Sequence, residues 1–407
     1  MSKVKEFWEK LMSNPIAKKM VLFTGGFLVI IIFVMVIASC TGKNRTYTYT
    51  ELEDKMVDIA KRYYTEKSYL PEEDGDVTEI ELSTMVAKEQ LGIITEITKT
   101  GKNCDGKVTI VNNSGKYLYM PYLDCGDDYS TKTLFNVLTS DDNIVTEGNG
   151  LYETGAEYIF KGDNINNYVK IGDFTFRIMK INEDDNIKMI DVKRRSSSVW
   201  DDRYNIEQDR DVGINDFFKN GIESKISEYL NDLFKTNEHY NDNVKVYFKT
   251  NDLCVGKRTY QEKNNAGTVE CSAVYENAKL GLPYLSEFFQ ASLDKNCLDI
   301  ESPSCANYNY FTEFGTLWTL TAVEGNSFEA YRISGSHVEA AKASSSAGIY
   351  PVIIVDGGLV VEDGDGSEDK PYIIKSYEIS KYNPVDLKNN FIELYYSEWF
   401  DKLINER

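Results

Sequence analysis

From Met20 to Thr41 the chain reads "MVLFTGGFLVIIIFVMVIASCT", without one charged side chain. Nothing else in the sequence constrains the fold as much. Roughly 20 uncharged apolar residues wound as a helix cover a hydrocarbon core about 30 Å thick, and a helix satisfies its own backbone there. Residues 20–40 are therefore expected to form a transmembrane helix or a lipoprotein signal, preceded by a basic cytoplasmic segment, 1–19. Lys18 and Lys19 stand just before the run, but Lys43 and Arg45 follow closely after it. Flanking charge orients the segment only weakly.

The cysteines orient it better. Cys40 closes the apolar run, and six more lie beyond it: Cys104, Cys125, Cys254, Cys271, Cys297 and Cys305. Six is an even number, and in chain order they form three short-range pairs, although other connectivities are open. Disulfides persist outside the cytosol, so this layout favours an extracellular body. Cys40 is the odd one. The stretch Ile37-Ala38-Ser39-Cys40 is similar to a bacterial lipobox, whose cysteine is acylated and becomes the mature N-terminus. The alternative is a retained signal-anchor, favoured by the length of the apolar run and of the segment before it. A third reading is a soluble cytosolic protein with a buried apolar helix. The first two place the protein at the cell membrane: single-pass with an extracellular C-terminal body, or lipid-anchored at the outer face.

Composition narrows the partners. The net charge is −20, of which the first twenty residues contribute +3, leaving −23 for the rest. So acidic a surface repels phosphate backbones and no basic stripe offsets it, which argues against nucleic acid. The 28 Tyr beside 8 Pro suit half-exposed β-sheets and adaptable contact surfaces.

Beyond the apolar run, Thr50-Glu51-Leu52-Glu53 reads as a capping box, with Glu53 reaching back to the Thr50 amide. It opens a helix with Leu52, Met56, Ile59, Ala60 and Tyr63 on one face. A second short helix is expected over Thr84 to Leu91. "KVTIV" and "KYLYM" then alternate around the turn Asn112-Asn113-Ser114-Gly115, a hairpin that Cys104 and Cys125 flank symmetrically. A bridge there would be worth about 3 kcal/mol in the chain-entropy model. A membrane helix, an amphipathic helix and a stapled hairpin resemble the globular part of type IV pilins and pseudopilins over residues 46–127. The resemblance implies a subunit of a surface assembly. It departs after Gly26, where Ile31 stands in place of the pilin glutamate that neutralises a neighbour's terminus, so the likeness is one of shape.

Residues 128–155 are polar, rich in Gly, Asp and Asn, and without sustained period, and so read as a linker. In the second unit Phe174, Phe176 and Ile178 alternate, "NEDDN" turns, and Ile187 and Met189 return. "GIESKISEYLNDLF" is expected as a helix with Ile222, Ile226, Tyr229, Leu230 and Leu233 on one face. The strings "YIFKGDNINNYVKIGDFTFRIMKI", "GLPYLSEFF", "LWTLTAV" and "GIYPVIIV" followed by "GDGSEDKPYII" resemble a widespread set of surface proteins of Gram-positive and related bacteria. That resemblance spans 156–378 and implies a C-type-lectin-like, formylglycine-generating-enzyme-like module. Phe176-Arg177-Ile178 departs from the family's usual Trp before Arg-Ile. The expected fold class is thus α+β with mostly antiparallel sheets, ending in an amphipathic helix over 379–407 with Leu387, Phe391, Tyr395, Trp399 and Leu403 in a stripe.

Candidate chemistry is sparse. The sequence holds no P-loop, "HExxH", "CxxC" or "GxSxG". Its two histidines, His239 and His337, read as loop residues. C-type lectins coordinate calcium through "EPN" or "QPD" with "WND"; the nearest string here is Trp200-Asp201-Asp202. Asp363, Asp365, Ser367 and Asp369 alternate oxygen ligands as calcium loops do, but position twelve is Ile374 and no glutamate closes the set. They are the candidate metal residues, with an acidic β-turn as the plainer reading. Trp318 and Tyr331 are candidate ligand contacts, with core packing as the alternative. No catalytic residue and no cofactor beyond a possible Ca2+ is expected. The function expected is non-enzymatic binding or display toward an extracellular protein, peptide or glycan. The alternatives are a pilin-like assembly subunit and a formylglycine-generating-type enzyme, which would need free thiols.

Overall fold

The computed structural model describes residues 46–63, 70–88, 91–263 and 266–377. The segments 1–19 and 20–40, Cys40 and the helix expected over 379–407 lie outside the described residues. Among the described residues no helix is long and apolar enough to cross a membrane.

The N-terminal unit grows from helix α1 (Tyr49–Tyr63). Leu52, Met56, Ile59 and Ala60 recur at spacings of three and four and are fully buried, as is Val57. Burying each of the larger ones stabilises the unit by about 1.5–3 kcal/mol. Their partner is an antiparallel sheet of β1 (Val77–Glu81), β2 (Asp105–Asn113) and β3 (Lys116–Asp124). Ser114 and Gly115 both have positive φ, 54° and 81°, as the two-residue turn of a β2–β3 hairpin requires. The Cys104–Cys125 disulfide closes the open end of that hairpin.

Two local expectations shift here. The capping box is made by Thr48 and Glu51, not by Thr50 and Glu53: the Thr48 amide donates to Glu51 Oε2 at 2.8 Å and the Glu51 amide to Thr48 Oγ1 at 3.2 Å. The second helix, α2 (Leu82–Ala87), starts two residues earlier than expected and follows β1 directly. Strand β1 buries only Ile80 of its five residues, too little for a period to be visible.

Glu53 is released from the cap and buried, its Oε1 accepting from Tyr129 Oη at 2.8 Å and Thr131 Oγ1 at 2.5 Å. Burial pushes its carboxyl up, against the downward pull of those hydroxyls and of Lys375. A carboxyl raised in the folded state stabilises fully below its unfolded value and loses that contribution as pH rises through the folded one. Glu53→Gln keeps an acceptor for both hydroxyls and removes this loss. In urea melts its midpoint should gain on the wild type as pH rises from the ordinary glutamate range to neutrality; a constant difference would refute the assignment.

The C-terminal unit is two sheets. One carries β4 (Gly150–Thr154), β5 (Glu157–Lys161), β6 (Tyr168–Ile171), β7 (Phe174–Ile181) and β8 (Ile187–Asp191). Its order runs β19 (Val352–Val355)-β8-β7-β6-β21 (Tyr372–Ile374)-β20 (Val361–Asp363), with β5 on the far end of β7 and β4 on β5. The other sheet runs β17 (His337–Lys342)-β16 (Glu329–Ser334)-β15 (Leu317–Val323)-β18 (Ser346–Ile349)-β9 (Ser196–Val199). Most pairings are antiparallel; β6–β21, β15–β18 and the contact of β13 (Lys257–Arg258) with β15 are parallel. The chain is therefore α+β, mainly β. A two-residue hairpin, β10 (Phe218–Lys219) with β11 (Ile222–Glu223), and the pair β12 (Asn251–Cys254) with β14 (Val274–Ala278) complete the strands. Ile222 belongs to that hairpin and is exposed; the expected helix begins later, at Lys225, capped by Ser224.

Residues 128–155, expected as a linker, are folded onto the larger unit. Leu134 and Leu138 of a short helix sit fully buried in its core, and the Leu134 amide donates to Leu359 O at 2.7 Å. β4 extends its sheet. The small unit docks as well. Asn113, at the hairpin tip, donates through Nδ2 to Val246 O and Phe248 O at 2.8 and 2.7 Å and accepts from Lys279 Nζ at 2.5 Å. Asp74 binds Ser114 N, Thr250 Oγ1 and Lys279 beside it. Val111, Leu118 and Met120 pack into the larger core.

Candidate functional site

The residues singled out from the sequence do not converge. Trp318 and Tyr331 are fully buried on adjacent strands β15 and β16. Trp318 Nε1 donates to Ser198 O at 2.9 Å and Tyr331 Oη to Arg258 O at 3.0 Å, so both occupy the core and offer no ring to a ligand. Asp363 ends β20, and Asp365 and Asp369 lie in the exposed turn that joins it to β21. Asp365 Oδ1 accepts from Ser367 N and Oγ, and Asp363 pairs with Lys370 at 3.3 Å. These local bonds hold both carboxyls below the usual aspartate range, Asp363 chiefly through the Gly364 amide and Asp365 chiefly through the Ser367 hydroxyl. Among the described residues no three carboxylate, thiol or imidazole groups gather to hold a metal ion. His337 lies exposed at the start of β17, and His239 is half-buried in a loop.

The six cysteines beyond the apolar run form Cys104–Cys125, Cys254–Cys271 and Cys297–Cys305, with Cα–Cα distances of 4.2, 4.3 and 4.5 Å. Two of these bridges border one open surface feature.

That feature is a groove of two contiguous clefts, of 750 and 450 Å³, which share Glu157, Gly267, Thr268 and Gln290. The floor of the larger is the face of β4 and β5. Residues alternate along a strand, so Tyr152, Thr154, Glu157, Ile159 and Lys161 point the same way. One wall is the end of the helix Leu285–Gln290 and the loop 292–297 that the Cys297–Cys305 bridge ties down. The smaller cleft runs on past Lys180, Lys188, Asp252 and the Cys254–Cys271 bridge to Tyr284 and Glu287.

Below the smaller cleft lies a buried ion pair. Lys188, on β8, bonds Glu287 Oε1, and its Nζ stands 3.8 Å from the Tyr284 ring centroid. Glu287 Oε2 accepts the Tyr284 amide at 2.8 Å, capping its own helix, while the Cys254 amide donates to Tyr284 Oη at 3.0 Å. A second pair, Arg258 with Glu270 at 3.2 Å, is completely enclosed. Glu270 Oε1 also accepts Ser286 N and Thr321 Oγ1, and burial raises its carboxyl against the pull of Arg258. Glu270 Oε2 and Ser286 Oγ are buried without a hydrogen-bond partner. The groove thus has a stiff polar underside, locked by bridges and buried charges.

Within the groove only part of the charge is matched: Glu147, Lys161, Glu183 and Lys295 line it with no ion pair among the described residues. Glu157 pairs with Lys180 at 2.9 Å, and Asp294 accepts from Asn296 and Asn307. Apart from Cys254, Cys271 and Cys297, no residue of the groove was singled out from the sequence. Its lining comes from six separate stretches between residues 146 and 354, so no local spacing announces it. The only available signal was the pair of short cysteine loops, 254–271 and 297–305, which mark its walls. No protein-family model, curated protein or solved structure matches this chain.

Proposed function

We propose that this chain is a membrane-anchored bacterial surface protein that recognises an extracellular ligand without turning it over, and that the groove over β4 and β5 is its binding site. The reading takes residues 20–40 as the anchor, through a transmembrane helix or an acylated Cys40. It takes the small unit as pilin-like in shape and the larger one as lectin-like. One observation carries it: two disulfides stand on the walls of an open groove whose lining mixes polar and apolar groups. Such bridges suit an oxidising exterior, and a site already rigid before binding loses little conformational entropy when it is filled.

Cells displaying the full chain test location and recognition together. Wild-type cells should bind fluorescent ligands from a glycan and peptide panel at their outer face. Cells carrying Tyr152→Ala should lose most of that signal while staining equally with an impermeant amine label. Failure of the label to reach the body would overturn the surface assignment. Equal ligand capture by both would remove the groove from it, and ordered multimers growing with concentration would favour a pilin-like assembly instead.

A further inference from the structure

Resting on the reading of the groove as a recognition site, we propose that its ligand is an anionic polysaccharide, held by the amines of Lys161 and Lys295 beside the Tyr152 ring. The argument starts from charge. The chain as a whole carries −20, and most lysines near its surface clefts are matched by carboxylates, as Lys180 is by Glu157. Lys161 and Lys295 both line the 750 Å³ cleft, and neither has an ion pair among the described residues. Lys161 Nζ lies over the Tyr152 ring, 5.1 Å from its centroid.

Lys161 is half-buried on β5, and that burial lowers its pKa, because the ammonium is partly stripped of water with no counter-charge supplied. An anion in the cleft supplies it. Lys295 is exposed on the opposite wall, in the loop that the Cys297–Cys305 bridge ties down. The two amines therefore belong to different elements, a strand and a loop, facing one space. Glu147, Glu157 and Asp294 line the same cleft, Glu157 neutralised by Lys180, so an anion is held here by contact with the two amines and not by the overall field.

The geometry selects a polysaccharide over a peptide. A peptide bound by strand addition needs a free sheet edge. The floor of this cleft is a sheet face, and it presents side-chain groups: the Thr154 hydroxyl and the Tyr152 ring from below, Thr268 and Gln290 from the walls. Hydroxyl and amide groups around a ring match the hydroxyls and flat apolar faces of sugars.

The test uses the full-length protein in detergent with three labelled polymers: polygalacturonate, dextran sulfate and neutral dextran. At least one polyanion should bind, with affinity falling as salt rises, and dextran should not. The polyanion that binds identifies carboxylate or sulfate as the preferred group. Lys161→Gln should weaken binding about tenfold or more, the scale of one lost charged hydrogen bond. Lys295→Gln should weaken it by a smaller factor, and Lys342→Gln, on an exposed strand away from the groove, should leave it unchanged. Binding of dextran equal to that of the polyanions, or binding of peptides alone, overturns the anionic inference while recognition by the groove stands. Polyanion binding that Lys161→Gln and Lys342→Gln reduce equally overturns it too. No binding of any polymer, together with no ligand capture by displaying cells, overturns both.

Discussion

Lys188→Met should destabilise the protein by about 3–5 kcal/mol, the cost of leaving one member of a buried ion pair alone. Both side chains are enclosed, with 7% and 6% of their surface exposed. Without the ammonium, the Glu287 carboxylate keeps one hydrogen bond, from the Tyr284 amide, and stays largely buried with its counter-charge gone. The double variant Lys188→Met/Glu287→Gln should recover most of the loss, since the amide oxygen still caps the helix and no charge remains buried. Guanidinium melts of the two single variants and the double one give the coupling directly. Additive losses would show that the pair does not act as a unit.

Asn113→Ala should separate the two units. The side chain makes two hydrogen bonds to backbone carbonyls of the larger unit and receives a third from Lys279. Leaving buried acceptors unpaired costs about 1–3 kcal/mol each, so a total loss of roughly 2–5 kcal/mol falls on the docking surface and not on either core. Hydrogen exchange should then show the amides of β1, β2 and β3 losing protection while those of β7, β8 and β15 keep it. Uniform loss across both units would mean that they share one cooperative core and that the tip only decorates it. Asp74 and Lys279 support the same contact, so Lys279→Met should act in the same direction more weakly.

Where the sequence could be read, a local rule and the tertiary environment agreed. β2 and β3 alternate apolar residues across a Ser-Gly turn, and β7 and β8 do so across "NEDDN"; both hairpins form where expected, with registers such as Ile178 opposite Met189. The face of α1 was legible for the same reason: Leu52, Met56 and Ile59 obey one period and meet one sheet. Reading failed where a residue's partners lie far off in the chain. Glu53 has the spacing of a cap, yet two hydroxyls from the 129–131 loop draw it inward, and the neighbouring Thr48–Glu51 pair takes over. Ile222 has helical spacing to Ile226, but Ser224 caps the helix after it. Residues 128–155 are polar enough for a linker; Leu134 and Leu138 bury themselves only because the turn between β19 and β20 offers backbone acceptors, Gly357 O and Leu359 O, beside the core.

The sequence by itself determined an acidic α+β chain with a membrane-length apolar run, one cysteine-flanked hairpin and a second across "NEDDN", and six cysteines in short loops beyond that run. Those properties depend on composition and on neighbours within a few residues, where backbone geometry alone sets which side chains meet. Only the tertiary structure decided that Trp318 and Tyr331 are core, that the two units lock through Asn113, and that a groove opens over β4 and β5. Each of these depends on desolvation and hydrogen bonding between segments up to well over a hundred residues apart, and such energies leave no periodic trace in the chain.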